Sequence, residues 1–535
     1  MAVVAEIIRR LLPRGSTWNR TSWDHCPPWP PDAFAVAGIL AELSGCYAWH
    51  RPGARSRQMY VAQIRALGKQ WREERSPPRQ IVDWWKKLVS CRSECAAMPT
   101  PVCDAVMRLL AAADEASAGI GFISDKPSSF EDVYLAASAR STVRARASKL
   151  LPNVRETLCS LVPPSEACVQ PKSRTAQVGC TLRSCSHHLA LLPPQGVVTT
   201  HWGINVASHR YSEHLNLLVV PFPYRVTADV FEPHDPRGRR GHYFGVRQSW
   251  LPSARMFLPF MEQLCERAEG TGARLDAVVF PELSLNPQIT SLVARHLRRR
   301  GIEFFIAGVG PRSSRSAKGE NFAEIHGAKD RSRQAKHHRW CLESSQLKRY
   351  ELAHILDGGQ VWWEDIELRD REVNFLVFRP GATLAVLVCE DLARVDPAQV
   401  VLRSVGPNLV IALLFDGPQL ESRWPARYAT VLAEDPGSSV LTVTSLGMAR
   451  RAQSTLSDRR TEIEVALWKE AGSSAKPLVL PANHHALLLS LGLRHEENWT
   501  LDGRADEGES CHVTLEQHQA IQLASPPAWA RVDAS

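Results

Sequence analysis

The chain has 535 residues, 44% hydrophobic and 22% charged, a composition typical of a folded globular protein longer than one ordinary domain. No apolar run approaches the ~20 residues that a membrane-spanning helix needs, so we expect no membrane span. The net charge is +8, and residues 1–200 carry the excess, with 25 Lys and Arg against 16 Asp and Glu.

The cysteines and the N-terminus bear on localisation. Thirteen cysteines, an odd number scattered along the chain, favour a reducing compartment over a disulfide framework and predict a cytoplasmic protein. The N-terminal segment has its arginines after its apolar residues and shows no small-residue cleavage site, so we interpret it as a helix.

Residues 1–195 are predicted to form a mostly helical, basic module. Apolar residues recur at helical spacing at 34–47, 60–75, 78–90, 102–116 and 130–151. Asp32 follows a proline cluster and is a candidate N-cap for the first of these helices.

The basic charge of this module permits a nucleic-acid or protein partner, although a solvated basic face is the commoner explanation. The last predicted helix carries Arg140, Arg144 and Arg146 on one face. A contact surface for nucleic acid would lie there.

Two groups of residues in this module invite comparison with a zinc site. Cys91 and Cys95 lie four apart without a second pair, and Cys180 and Cys185 precede a His-His pair at 187–188. Structural zinc sites use four ligands from closely spaced, rigid turns. Neither group has that pattern, so we expect no metal.

The second module is predicted to span residues 196–524, with a polar tail at 525–535. Buried strands are expected at 215–221, 275–280, 303–309, 383–388, 408–415 and 439–444, because continuous apolar runs are typical of strands covered on both faces. Asn286 as N-cap and Pro287 open one of the helices between them. Residues 486–491 and 513–523 are predicted edge strands.

Reactive residues follow two of the buried strands. The strand at 383–388 stops at Cys389, which two acids follow, and the strand at 275–280 runs into Glu282. Ligands in layered α/β folds gather at the carboxyl ends of strands, so we expect the thiol and the carboxylate to meet. Cys389 taken alone would more often be a small buried hydrophobic residue.

A predicted hairpin that begins at Asn321 supplies a cation between these strands, because its second strand ends at Lys336. Lys348 lies nearer to Cys389 in sequence and is the alternative lysine.

Taken in chain order, these residues resemble the nitrilase or carbon–nitrogen hydrolase superfamily, whose members carry F-P-E, K-x-H and a cysteine after a buried strand. The matching segments are FPE at 280–282, KHH at 336–338 and CED at 389–391, and the likeness extends over residues 215–491. It implies an α/β fold of the nitrilase-like αββα layered sandwich type, preceded here by the mostly α-helical domain. It also implies a hydrolase acting on carbon–nitrogen bonds other than peptide bonds.

The resemblance implies a catalytic triad of Glu282, Lys336 and Cys389 that works through a covalent thioester. Glu282 would move the protons, while Lys336 would lower the pKa of the thiol and stabilise the oxyanion together with the backbone N–H of Glu390. A second glutamate after the lysine is also implied, and Glu343 is the candidate. No cofactor or metal is implied.

Several functions remain open. The first is hydrolysis of a small-molecule amide or nitrile; the second is acyl transfer to an amine. The third is a nitrilase-like sensor or effector module of a bacterial antiviral defence or regulatory system, whose N-terminal part binds protein or nucleic acid.

The substrate is not specified, although C-E-D is closest to the glutamine-dependent amidase branch. Residues 360–364 and 416–421 are candidates for lining a pocket, and structural loops or a dimer contact are the alternatives. A homo-oligomer is compatible with the resemblance.

Overall fold

The computed structural model describes residues 2–13, 22–48, 54–118, 157–176, 179–194, 198–204, 213–235, 240–311, 319–327, 331–379, 381–453, 461–505 and 509–532. These ranges form a mixed α/β protein. The helices are α1 Val4–Leu11, α2 Pro30–Ser44, α3 Ala54–Glu74, α4 Arg79–Ser90, α5 Thr100–Ala116, α6 Ala254–Glu269, α7 Pro287–Arg299, α8 Ser344–Arg349, α9 Val400–Val405, α10 Trp424–Glu434 and α11 Leu446–Arg451.

The strands are β1 Cys168–Pro171, β2 Leu189–Leu192, β3 Thr199–Ile204, β4 His214–Val219, β5 Phe231–His234, β6 His242–Val246, β7 Ala277–Leu285, β8 Phe304–Val309, β9 Phe322–His326, β10 Arg331–Ala335, β11 Cys341–Leu342, β12 Trp362–Glu364, β13 Glu372–Arg379, β14 Ala382–Val388, β15 Leu409–Leu414, β16 Ser439–Thr444, β17 Ile463–Lys469, β18 Lys476–Leu480, β19 Ala486–Glu497 and β20 Glu509–Ile521.

Two seven-stranded sheets dominate the described part of the chain. One has the strand order β10-β9-β8-β7-β4-β19-β20, and the other has the order β18-β17-β16-β15-β14-β13-β3. Strands β4, β7 and β8 run parallel, as do β14, β15 and β16. Such strands are covered on both faces, which explains why they appear in the sequence as continuous apolar runs.

The two sheets contact each other through β7 against β15 and β16, and through β10 against β13 and β14. Apolar residues of both sheets belong to one hydrophobic cluster. Helix α7 contacts β8, and α10 contacts β16. Asn286 caps α7 as predicted, since its side-chain oxygen accepts the backbone N–H of Ile289 at 2.9 Å.

Helices α1 to α5 build a second hydrophobic cluster. Helix α5 contacts α2, α3 and α4, and the adjacent tryptophans Trp84 and Trp85 of α4 are buried in this cluster. The helix predicted at 130–151, with its arginines, lies outside the described residues. The two-stranded sheet β1-β2 lies within residues 1–195, which were predicted to form a mostly helical module.

The N-cap predicted at Asp32 is wrong. Helix α2 begins at Pro30, because proline is well suited to the first helical position, and its N-cap is Trp29. The Asp32 carboxylate instead accepts three backbone N–H groups from another segment of the chain, at 2.7 to 3.0 Å; the donors are Ser160, Leu161 and Val162.

One edge-strand prediction is also wrong. Strand β19 pairs with both β4 and β20 and is therefore internal, whereas β20 forms the edge of its sheet. The thirteen cysteines are free thiols. None of the helices in the described ranges combines the length and the apolar character that a membrane crossing requires.

Candidate active site

A bulge at the end of β7 positions Glu282. The pairing of β7 with β8 shifts between Phe280 and Leu285, and Leu283 adopts a positive φ of 56°. Bulges re-aim side chains at the ends of strands, and here the bulge carries a carboxylate that is only 1% exposed. Gly308 on β8 permits the arrangement, because a Cβ there would lie 2.3 Å from the Cα of Glu282.

Lys336 directly follows strand β10 and is as deeply buried as Glu282. Its Nζ donates to Glu282 Oε1 at 2.8 Å and to Glu364 Oε2 at 2.6 Å. The side-chain amide of Asn321 donates to the same two carboxylates, at 2.7 and 2.8 Å. One lysine and one amide therefore bind a pair of buried glutamates.

Glu364 is the second glutamate of the site, and the prediction of Glu343 for that position is wrong. Glu343 is exposed and caps α8 through a capping box with Gln346. Lys348, the alternative lysine, is exposed on the same helix. A signal for Glu364 was present in the sequence, since it ends a short apolar run just as Glu282 does.

Cys389 begins a sharp turn immediately after β14. Its φ is 47°, a left-handed conformation that costs energy in a residue other than glycine and that recurs at functional sites. The side chain is 4% exposed and lines a cavity of about 50 Å³. The other lining residues are Trp340, Gln346, Arg349, Tyr350, Glu390, Phe415, Asp416, Arg423 and Trp424.

Asp391 joins the cysteine segment to the lysine segment. Its buried carboxylate accepts the backbone N–H of His337 at 3.0 Å and Nδ1 of His338 at 2.8 Å. Burial would raise the pKa of Asp391, but the bonds from the two histidines outweigh it and hold the pKa below the usual value. The contact fixes the residues beside Lys336 relative to the turn that carries Cys389.

Burial controls the protonation of the site. It raises the pKa of Glu282 against the opposing charge of Lys336. Burial would lower the pKa of Lys336, yet the charges of Glu282 and Glu364 outweigh it and raise that pKa well above the usual value. Lys336 is therefore a cation at neutral pH.

The net pKa shift of the Cys389 thiol is opposite to the shift that Lys336 alone would produce. Burial, reinforced by the charge of Glu282, raises the pKa of Cys389 well above the usual value, and Lys336 opposes this shift without reversing it. The charge of Lys336 lowers the pKa of the thiol, as predicted, but burial and the charge of Glu282 outweigh it. A protonated thiol requires a base, and Glu282 Oε2 has no hydrogen-bond partner among the described residues.

A metal could be held elsewhere in the described ranges by Glu115, His187 and His188, whose ligand atoms lie within 4.8 Å of one another. However, Arg504 donates to Glu115 at 2.8 Å, so a fixed positive charge already occupies this carboxylate. The neighbouring cysteines of the sequence pattern do not belong to the group.

No family model and no curated protein matches the chain. Similar solved structures include an amidase of the nitrilase superfamily from Nesterenkonia, at 12% identity and a TM-score of 0.29, over 59% of this chain and 93% of that one. A carbon-nitrogen hydrolase from Helicobacter pylori is 12% identical, with a TM-score of 0.30, over 50% of this chain and 88% of that one.

A glutamine-dependent NAD+ synthetase from Acinetobacter baumannii is 10% identical, with a TM-score of 0.27. The match covers 59% of this chain and 49% of the synthetase, so the chain spans about half the length of that protein. Proteins of the nitrilase superfamily are thus among the structures that this chain is similar to. Structural similarity as low as this defines neither the substrate nor the reaction of this chain.

Proposed function

We propose that this chain is a carbon–nitrogen hydrolase of the amidase or nitrilase type, with Glu282, Lys336 and Cys389 as its catalytic residues. The observation that carries the proposal is the unpartnered Oε2 of a buried, lysine-bound Glu282 whose charge acts on the Cys389 thiol. We infer further that the two sheets and their flanking helices form the αββα layers of a module spanning 196–524.

The mechanism begins with a proton transfer. Glu282 accepts the proton of Cys389 as the sulfur attacks the carbonyl carbon of an amide, which forms a tetrahedral oxyanion. Lys336 Nζ has three N–H bonds; among the described residues two of them go to Glu282 and Glu364, which leaves the third for that oxyanion. The backbone N–H of Glu390 is the second donor.

The second half of the reaction uses the same groups. Glu282 returns the proton to the departing nitrogen, the C–N bond breaks, and a thioester of Cys389 remains. Glu282 then takes a proton from water, which attacks the thioester, and the thiol and a carboxylic acid are released. If an amine replaced this water, the product would be a new amide, which is the acyl-transfer alternative.

Glu364 acts through Lys336. Its carboxylate accepts from Nζ and from the backbone N–H of Trp340 at 3.1 Å, which holds the lysine in one position. Together with Glu282 it keeps Lys336 charged, so the cation is present when the oxyanion forms. Glu364 is therefore a positioning residue.

The test combines labelling with turnover in the full chain. We expect iodoacetamide to alkylate Cys389, as read by peptide mass spectrometry, and a panel of short primary amides to yield ammonia. Cys389→Ser should abolish both, and Glu282→Gln should slow both by about 100-fold or more, because a general base of this kind contributes about 10²–10⁴ in rate. Partly exposed Cys341 is the internal labelling reference.

The pH dependence of Cys389 labelling has a defined sign. Burial raises the pKa of Glu282, so labelling of Cys389 should fall as the pH falls through that raised value, because protonated Glu282 cannot accept the thiol proton. In Glu282→Gln this acidic decline should disappear. Labelling of Cys389 without ammonia from any amide would favour the sensor alternative, and an inert Cys389 would contradict both functions.

A further inference from the structure

We propose that the substrate carries a carboxylate, which Arg349 binds at the mouth of the cavity while the scissile amide lies against Cys389. The inference rests on the proposed function and specifies its substrate class. Arg349 and Cys389 line the same cavity, Arg349 as an exposed residue and Cys389 as a buried one.

The size of the cavity limits what can be enclosed. Its volume is about 50 Å³, whereas pockets that enclose drug-sized ligands measure about 300–1,000 Å³. A short acyl chain is therefore the part that enters, and any further group of the substrate reaches the mouth.

The charged side chains on the inner wall of the cavity are paired with neighbouring residues. They are therefore not available to bind a charged group of the substrate. Asp416 accepts from Arg423 at 2.8 Å, from Trp424 Nε1 at 3.0 Å and from the hydroxyl of Tyr350. Asp416 and Arg423 therefore satisfy each other within a buried network. Glu390 is bound by Arg394 at 3.1 Å.

Arg349 is the lining cation that remains. Its side chain makes no hydrogen bond or ion pair with any residue that the structure describes, in contrast to Arg423. A guanidinium presents a planar fork of N–H donors that matches a carboxylate, and such charge-assisted bonds are stronger than neutral ones. A free arginine at the mouth is thus a ready carboxylate receptor.

The orientation follows from the charges near the sulfur. The charged groups that act on the thiol are already paired: Glu282 with Lys336, Asp416 with Arg423 and Glu390 with Arg394. A substrate carboxylate therefore finds its binding partner at Arg349. The neutral amide enters, and the anionic end stays outside.

Succinamate and butyramide test this inference, because both are short primary amides and only the first ends in a carboxylate. We expect kcat/KM to be about tenfold or more higher for succinamate, the ratio that ~1.4 kcal/mol of differential binding produces. Arg349→Gln should bring the ratio close to one. Lys348→Gln, which removes the adjacent exposed charge on α8, should preserve it.

Calorimetry on Cys389→Ser measures binding without turnover. We expect this variant to bind succinamate about tenfold tighter than butyramide, and the added Arg349→Gln substitution to remove the difference. If Cys389→Ser bound succinamate selectively but the unmodified chain did not hydrolyse it, this inference would stand and the proposed hydrolase function would be contradicted. Equal affinities, no binding of either amide, or equal losses in Arg349→Gln and Lys348→Gln would overturn it.

Discussion

At the scale of single residues, Lys336 controls the electrostatics of the site. It lies between two buried carboxylates, and each of them is also bound by Asn321. Because burial keeps Cys389 protonated, the mechanism that we propose requires Glu282 to remove the thiol proton before the sulfur can attack. A thiol held in this way is less exposed to oxidation than a preformed thiolate, since oxidation follows thiolate character.

Replacing this lysine should disable the site. In Lys336→Ala we expect turnover of short amides to fall about 100- to 1000-fold, which is the usual cost of one lost oxyanion donor. Alkylation of Cys389 by iodoacetamide should also slow, because removal of the ammonium leaves the charge of Glu282 on the thiol unopposed. Labelling and ammonia release are the two measurements, with circular dichroism to verify the fold.

Lys348→Ala is the matched control. Lys348 is exposed on α8, so both rates should stay near those of the unsubstituted chain. If Lys348→Ala lost activity while Lys336→Ala retained it, the catalytic role would pass to Lys348. Retention in both variants would mean that no lysine activates this thiol.

At the scale of elements, the site depends on backbone irregularities at two strand ends. Strand β7 bulges at Glu282, and the chain after β14 turns through Cys389 with a positive φ. Both deviations cost backbone energy, which the buried sheets around them can sustain. Gly308 is the neighbour that makes room for the first of them.

Gly308→Ala should therefore damage both stability and function. The added Cβ would lie 2.2 Å from the carbonyl oxygen of Pro281 and 2.3 Å from Cα of Glu282, so the bulge must move. We expect the free energy of unfolding to fall by about 1–3 kcal/mol, the usual cost of overpacking, and labelling of Cys389 to slow. Urea unfolding and peptide mass spectrometry measure the two effects.

Gly245→Ala is the control for a strand glycine, because a Cβ at that position of β6 meets no atom within 4 Å. Its effect should stay within about 0.5 kcal/mol. Equal effects of the two substitutions would show that the close contact at Gly308 is unimportant.

At the scale of the whole molecule, one buried arginine connects distant parts of the chain. Arg504 donates to Asp114 at 3.1 Å and to Glu115 at 2.8 Å, both on α5, and to Asp502 at 2.6 Å. Asp114 in turn accepts the backbone N–H groups of residues 187–189 at 2.9 to 3.0 Å. Helix α5, the segment before β2 and the loop before β20 therefore meet at one network.

Asp114→Asn should destabilise the protein strongly, because it removes one of the three carboxylates that compensate a fully buried guanidinium. Breaking such a pair costs about 3–5 kcal/mol, which urea unfolding would record. The pKa of Asp114 is held below the usual value despite burial, by the charges of Arg504 and the two histidines, so this stabilisation is present at neutral pH.

Asp104→Asn on the same helix is the control, since Asp104 pairs with Arg108 at 2.7 Å near the surface. Surface pairs of this kind contribute about 0–1 kcal/mol. A loss in Asp114→Asn as small as that in Asp104→Asn would show that the buried network does not connect the two regions energetically.

The sequence by itself determined the elements and residues whose signals are local. Continuous apolar runs identified the central strands, Asn286 and Pro287 located the start of α7, and the residues that follow three strands pointed to Glu282, Lys336 and Cys389. These signals arise within a few consecutive residues, where burial pattern and capping chemistry are readable without knowledge of the fold.

The other features of the site and the fold were decided only by the tertiary structure, because they depend on contacts between distant segments. Glu364 lies 28 residues after Lys336, and the two meet only because β12 folds back beside the lysine. Asp32 binds a segment 128 or more residues away instead of capping its own helix. The pKa of Cys389 is raised because burial outweighs the charge of one lysine, and burial is a property of the assembled fold.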